Sequence, residues 1–132
     1  IEGIIPCRVP QGSEAAYWIY PFIVEIEKFR ISLDRFGKAL TAEGLKASPG
    51  RYYLVPESHD LLNDLRYTYE KTICPGGRPD NYFGVKYSAD MTPNAKWYVE
   101  HMIRWPFTDK YSKRDIEDIV NIIRKIADYY RI

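Results

Sequence analysis

The stretch Ala15-Ala16-Tyr17-Trp18-Ile19-Tyr20-Pro21-Phe22-Ile23-Val24-Glu25-Ile26 decides the fold. Trp18, Tyr20, Phe22, Val24 and Ile26 recur at period two, so an extended backbone puts them on one face. Their aromatic and β-branched types suit a pleated, half-buried surface, and the spacing predicts a β-strand. Pro21 has no N–H for a ladder, so the strand is expected at a sheet edge, or bulged there.

C-terminal to this strand, Ser32 stands at an N-cap position and Leu33, Phe36 and Leu40 follow at helical spacing. Gly44 supplies the left-handed residue that ends helices, which predicts a helix over Leu33 to Glu43. Leu45 to Val55 reads as an irregular extended segment interrupted by Pro49-Gly50. Leu61, Leu62 and Leu65 suggest a helix of about two turns, and Cys74-Pro75-Gly76-Gly77-Arg78-Pro79-Asp80 a loop. Thr92-Pro93-Asn94 caps a short helix carrying Ala95, Trp97 and Tyr98, before an extended run Met102-Ile103-Arg104-Trp105 that Pro106 closes. Ser112 and Asp115 have capping-box spacing, with Asp for the usual Glu. Ile116, Ile119, Val120, Ile123, Ile126, Ala127 and Tyr130 then form one apolar stripe of a long helix. Acidic Asp115, Glu117 and Asp118 near its start, and Arg124, Lys125 and Arg131 near its end, complement the helix dipole.

On the N-terminal side, Gly3, Pro6, Pro10 and Gly12 punctuate Ile1 to Gly12, a linker or lead-in strand in which Ile4 to Val9 can extend. The element order predicts an α/β (α+β) domain over residues 15–132, a small sheet with helices packed on one face, preceded by a lead-in segment over residues 1–14. Trp18, Phe22, Leu40, Ile119 and Ile123 are expected to share its core.

The 132 residues suffice for one core without disulfide or metal. Lys plus Arg is 19 against 18 Asp plus Glu, a formal charge of +1, which argues against a nucleic-acid partner. No apolar run reaches the roughly 18 residues of a membrane span, and 45% apolar with 28% charged residues is a folded composition. The aromatic content is high: 12 Tyr, 5 Phe and 3 Trp. Rings that carry a polar tip suit pockets and interfaces.

Cys7 and Cys74 show no CxxC spacing, and no secretory signal pattern precedes them, so they read as reduced thiols of a cytoplasmic protein. With His59 and His101 they make no metal-ligand pattern. The chain begins at Ile1 rather than Met and reads as a piece of something longer.

Nucleophile-and-base patterns are poor. His59 lies in the polar turn Glu57-Ser58-His59-Asp60, His101 falls where a strand begins, and neither sits in a Ser or Cys signature. Lys71 with Gly76-Gly77 has the wrong order for a P-loop, and Asp115 with Asp118 is explained by the helix dipole. What remains is Arg51-Tyr52-Tyr53, with Glu57, Ser58 and His59 close behind. A guanidinium beside two phenols can stack on a sugar or base and clamp carboxylate or phosphate oxygens. One core tyrosine, one surface tyrosine and a solvated arginine is the plainer reading of the same residues.

The order of motifs says more than any one of them. Tyr17-Trp18-Ile19-Tyr20-Pro21-Phe22 is followed by Phe36 and Ala39-Leu40, leading to Ala42-Glu43-Gly44-Leu45, then by a Tyr-rich turn with Pro56 and by Cys74-Pro75. Asn94-Ala95-Lys96 runs on through Met102-Ile103-Arg104-Trp105-Pro106-Phe107 to Tyr111-Ser112, and Asp115-Ile116 opens the last helix. From about Ser13 to Tyr130 this series resembles the C-terminal domain of the DegT/StrS family of sugar aminotransferases, pyridoxal-phosphate enzymes of fold type I. The chain departs from that pattern in having Trp105 where a leucine precedes the proline, and in its long stretch from Asp60 to Asp90.

The resemblance implies a small, mainly antiparallel sheet with helices on one face, and a domain that closes the substrate cleft and supports a homodimer. It implies pyridoxal phosphate as cofactor, bound mainly by a large domain preceding this segment, with a keto-sugar, often nucleotide-linked, and an amino-acid amino donor as substrates. None of the nine lysines sits in the family's Ser-Phe-…-Lys-…-Gly-Gly setting, so no catalytic residue is expected here. The loop after the first helix approaches cofactor and sugar in that family. This makes Arg51 and Tyr53 the expected substrate-facing residues, with Tyr52 beside them packing inward. A free-standing carbohydrate- or peptide-binding module is the alternative from a different class.

Overall fold

The computed structural model describes residues 1–50, 54 and 88–132. The chain divides into two compact units, residues 1–51 with 98–132, and residues 52–97. In the second unit the described residues comprise Leu54, the turn Ala89–Met91 and the first half of a helix, where Lys96 pairs with Asp90 at 3.2 Å. The predicted helix at Leu61 and the loop at Cys74 lie outside the described residues.

The first unit holds strands β1 (Ile4–Pro6), β2 (Ile19–Val24), β3 (Ser48–Pro49) and β4 (Met102–Pro106), with helices α1 (Leu33–Ala42) and α3 (Lys113–Tyr130). Helix α2 (Pro93–His101) runs into β4. The sheet order is β1-β2-β4-β3 and every pairing is antiparallel. This is a mixed α/β fold with a small antiparallel sheet.

The helix ends follow the sequence. Ser32 Oγ accepts from the Arg35 amide at the start of α1. At its end Gly44 takes φ +102°, and the Gly44 and Leu45 amides donate back to Thr41 and Leu40, the paired bonds that satisfy a helix's last carbonyls. Helix α3 opens on the expected box: Ser112 Oγ accepts from the Asp115 amide at 3.3 Å, and Asp115 accepts from the Ser112 amide at 2.7 Å.

Two expectations about the opening strand are corrected. β2 is an interior strand, paired without a bulge from Ile19 to Ile23 against β4. Its proline is tolerated by parity. Glu25 donates to Gly3, so the odd-numbered residues of β2 face β1, and β1 ends opposite Phe22. The Pro21 nitrogen therefore faces past the end of β1, where no ladder bond is lost. By the same alternation the nitrogens of Pro6 and Pro49 face the outer edges of β1 and β3, and that of Pro106 lies beyond β3. Trp18 is not in the core: its ring is 81% exposed. Trp18 lies one residue before β2 begins, and Tyr17 packs edge-on against Tyr20 instead, ring centroids 4.8 Å apart.

The rest of the inward face is as the alternation predicts. Phe22 and Val24 of β2 and Ile103 and Trp105 of β4 meet Phe36 and Leu40 of α1 and Ile119, Ile123, Ile126 and Ala127 of α3 in one core. Each large side chain buried there contributes roughly 1.5–3 kcal/mol. Val120 of the predicted stripe sits at its rim, 37% exposed. Within the lead-in segment Ile4–Pro6 is a strand, held to β2 by ladder pairing, and Gly3 in the turn just before it adopts φ +77°.

Candidate functional site

The end of the sheet where β2 begins and β4 finishes gathers aromatic rings from separate parts of the chain. Tyr20 of β2 lies 4.7 Å from Trp105 of β4, and Phe22 lies 5.7 Å from the same indole. Phe107, just past β4, is 6.1 Å from Tyr17 and 5.5 Å from Tyr111. These centroid separations are those at which edge-to-face and tilted pairs attract.

Between this aromatic wall and α3 lies a cavity of about 410 Å³. Tyr17, Tyr20, Phe22, Trp105 and Phe107 form one side, Ile116, Ile119, Val120 and Ile123 the other, and Ile1, Ile4 and Pro6 close the end. None of these residues has a charged side chain. A second cavity of about 430 Å³ lies between the end of α1 and the start of α3, with Lys46, Tyr111, Asp115 and Asp118 on its walls, and Trp105 lines it too. The Trp105 residue is 5% exposed and its indole N–H finds no acceptor. A buried donor left unpaired costs about 1–3 kcal/mol.

Cys7, a free and exposed thiol just past β1, stands close to the phenols. Burial raises the pKa of Tyr17, and a hydrogen bond and like charge from Cys7 raise it further. Burial also raises the pKa of Tyr20 and of Tyr98 in α2, with like charge from Cys7 adding to both and a Cys7 backbone hydrogen bond partly offsetting the rise at Tyr20. These phenols therefore stay neutral and offer hydroxyls rather than charge.

Arg51, Tyr52 and Tyr53, with Glu57, Ser58, His59, Lys71, Cys74, Gly76 and Gly77, lie outside the described residues. His101 closes α2 directly before β4, as the sequence suggested. Among the described residues no three His, Cys, Asp or Glu side chains gather to hold a metal ion, and no helix is long and apolar enough to cross a membrane.

The described residues do not fit a pyridoxal-phosphate site. A Schiff-base lysine needs a desolvated or charge-perturbed setting, and no described lysine is buried; Lys28, Lys38, Lys96 and Lys125 are paired with carboxylates at the surface. Sequence reasoning missed that Tyr17, Tyr20, Trp105 and Phe107 come together at one cavity. The available signals were the aromatic excess and the tryptophan before Pro106.

No family model matches this chain. The chain is similar to an uncharacterized protein of Methanocaldococcus jannaschii, 27% identical over 131 residues that make up 99% of this chain and 28% of that protein. The chain thus spans little more than a quarter of that relative's length.

Proposed function

We propose that this chain is the C-terminal domain of a pyridoxal-phosphate-dependent aminotransferase of the DegT/StrS type, which moves an amino group from an amino acid to a nucleotide-linked keto-sugar. The observation that carries this reading is the ordered series of motifs from Tyr17 to Asp115-Ile116 along one chain. Two further findings support it. The antiparallel sheet with α1 and α3 on its inner face agrees with a small domain of fold type I, and the match to the archaeal relative leaves 72% of that protein, by difference from the 28% covered, to hold a large domain.

In this reading the cofactor and its lysine belong to the large domain. The small domain closes the cleft, supports a cytoplasmic homodimer, and presents Arg51 and Tyr53 to the substrate with Tyr52 packed behind them.

The test is made on the longer protein that carries this chain. It is expected to show an aldimine absorbance band abolished by borohydride, and to aminate a nucleotide-linked keto-sugar with glutamate as donor. The 132-residue chain alone is expected to be colourless and inactive. A parent gene that encodes no preceding domain, or a longer protein that binds no pyridoxal phosphate, overturns the reading in favour of a stand-alone binding module.

A further inference from the structure

We infer that the cavity between the aromatic wall and α3 is a binding site for an uncharged aromatic ring bearing a hydrogen-bonding edge. The inference goes beyond the aminotransferase reading and does not depend on it. Three features point the same way.

Size comes first. About 410 Å³ falls within the roughly 300–1,000 Å³ of small-molecule pockets, and a core packed to ordinary density leaves few voids above the size of a water. Wall chemistry comes second. Tyr17, Tyr20, Trp105 and Phe107 offer ring faces and edges at mutual distances of 4.7–6.3 Å, the spacings at which a further ring gains stacking or edge contact. No lining side chain carries a charge that could neutralise a charged ligand, and a buried unpaired charge is strongly disfavoured. Polar capacity comes third. The buried Trp105 N–H has no acceptor, and Trp105, Tyr17 and Tyr20 all line the cavity. A ring with one hydroxyl or carbonyl can use such donors, and an aliphatic ligand without a polar atom cannot.

The experiment is a heteronuclear NMR titration of the 132-residue chain, following the Trp105 indole cross-peak with four probes. p-Cresol is expected to shift that peak saturably, with a dissociation constant at or below about 1 mM. Methylcyclohexanol, of like size and with the same hydroxyl but no π-face, is expected to bind at least about fivefold more weakly. p-Hydroxybenzoate is expected to bind at least about tenfold more weakly because of its charge. N-acetyl-tyrosine amide is expected to bind no more tightly than p-cresol. The rim substitution Val120→Arg, on the exposed side of α3, is expected to weaken p-cresol at least about tenfold while leaving the circular dichroism spectrum unchanged.

No saturable shift overturns the inference. So does equal binding of cresol and methylcyclohexanol, which would mean unspecific apolar partitioning. Equal binding of the benzoate refutes the uncharged-ligand argument, and tighter binding of the tyrosine amide by about tenfold would assign the cavity to a side chain of a polypeptide partner instead.

Discussion

The Phe107 amide donates to the Trp18 carbonyl at 2.9 Å, while the Trp18 ring remains 81% exposed. The β2–β4 ladder thus continues one bond past both strand ends through backbone alone. Trp18→Ser is therefore expected to change the unfolding free energy by no more than about 0.5 kcal/mol in urea denaturation. A loss above about 2 kcal/mol would show that the ring is packed after all.

Ile123 is the opposite case. It is 6% exposed and faces both the core and the aromatic cavity. Truncation to alanine is expected to cost about 2–4 kcal/mol, read as a lower urea midpoint at unchanged slope. A loss below about half a kcal/mol would return the stripe to the surface.

Gly3 and Gly44 both have positive φ, but only one is crowded. A Cβ on Gly44 meets nothing within 4 Å, whereas one on Gly3 would lie 2.6 Å from the buried Phe29 ring. Gly44→Ala is expected to cost about 1–2 kcal/mol from backbone strain alone. Gly3→Ala is expected to cost more, because Phe29 has to move as well. Equal losses in thermal melts would contradict the close approach.

The Ser112 hydroxyl and amide, both donating to Asp115, hold its carboxyl below the ordinary aspartate pKa. A carboxyl depressed in the folded state stabilises fully above its unfolded pKa, and that share is lost as pH falls through the folded value. Asp115→Asn is thus expected to lower the melting temperature near neutrality, and the gap to the parent protein is expected to shrink steadily in acid. A gap constant with pH would mean that the box does not depend on charge.

In the proposed aminotransferase, Arg51→Ala is expected to raise KM for the keto-sugar by about tenfold to a hundredfold, the loss of one charge-assisted contact, with little change in melting temperature. Unchanged kinetics would remove Arg51 from the substrate site, and an equal loss of stability would make it structural.

The helices were legible because their signals are local. Ser32, Gly44, Ser112 and Asp115 each act within one turn of their own positions, and the structure bears out both caps and the closing turn. Trp18 and Pro21 misled because strand parity says which side chains share a face, but not where a ladder starts or how far its neighbours run. The edge or interior status of β2 depends on β1 ending opposite Phe22 and on β4, about eighty residues away in sequence. The aromatic cavity was invisible for the same reason: Tyr17, Trp105 and Phe107 meet only through tertiary pairing. Arg51 and Tyr53 stood out as a guanidinium beside phenols and were turned toward substrate by a resemblance, and no local rule of capping or alternation bears on them.

The four strand prolines have a consequence for solubility. A sheet edge with a free row of N–H groups is a template onto which another chain can add a strand, the first step of edge-to-edge aggregation. Pro6 and Pro49 each remove a donor from an outer rim, and strands of three and two residues leave little length for an invading segment to grip. Among the described residues, continuation of this sheet by a second chain is therefore disfavoured at both outer strands.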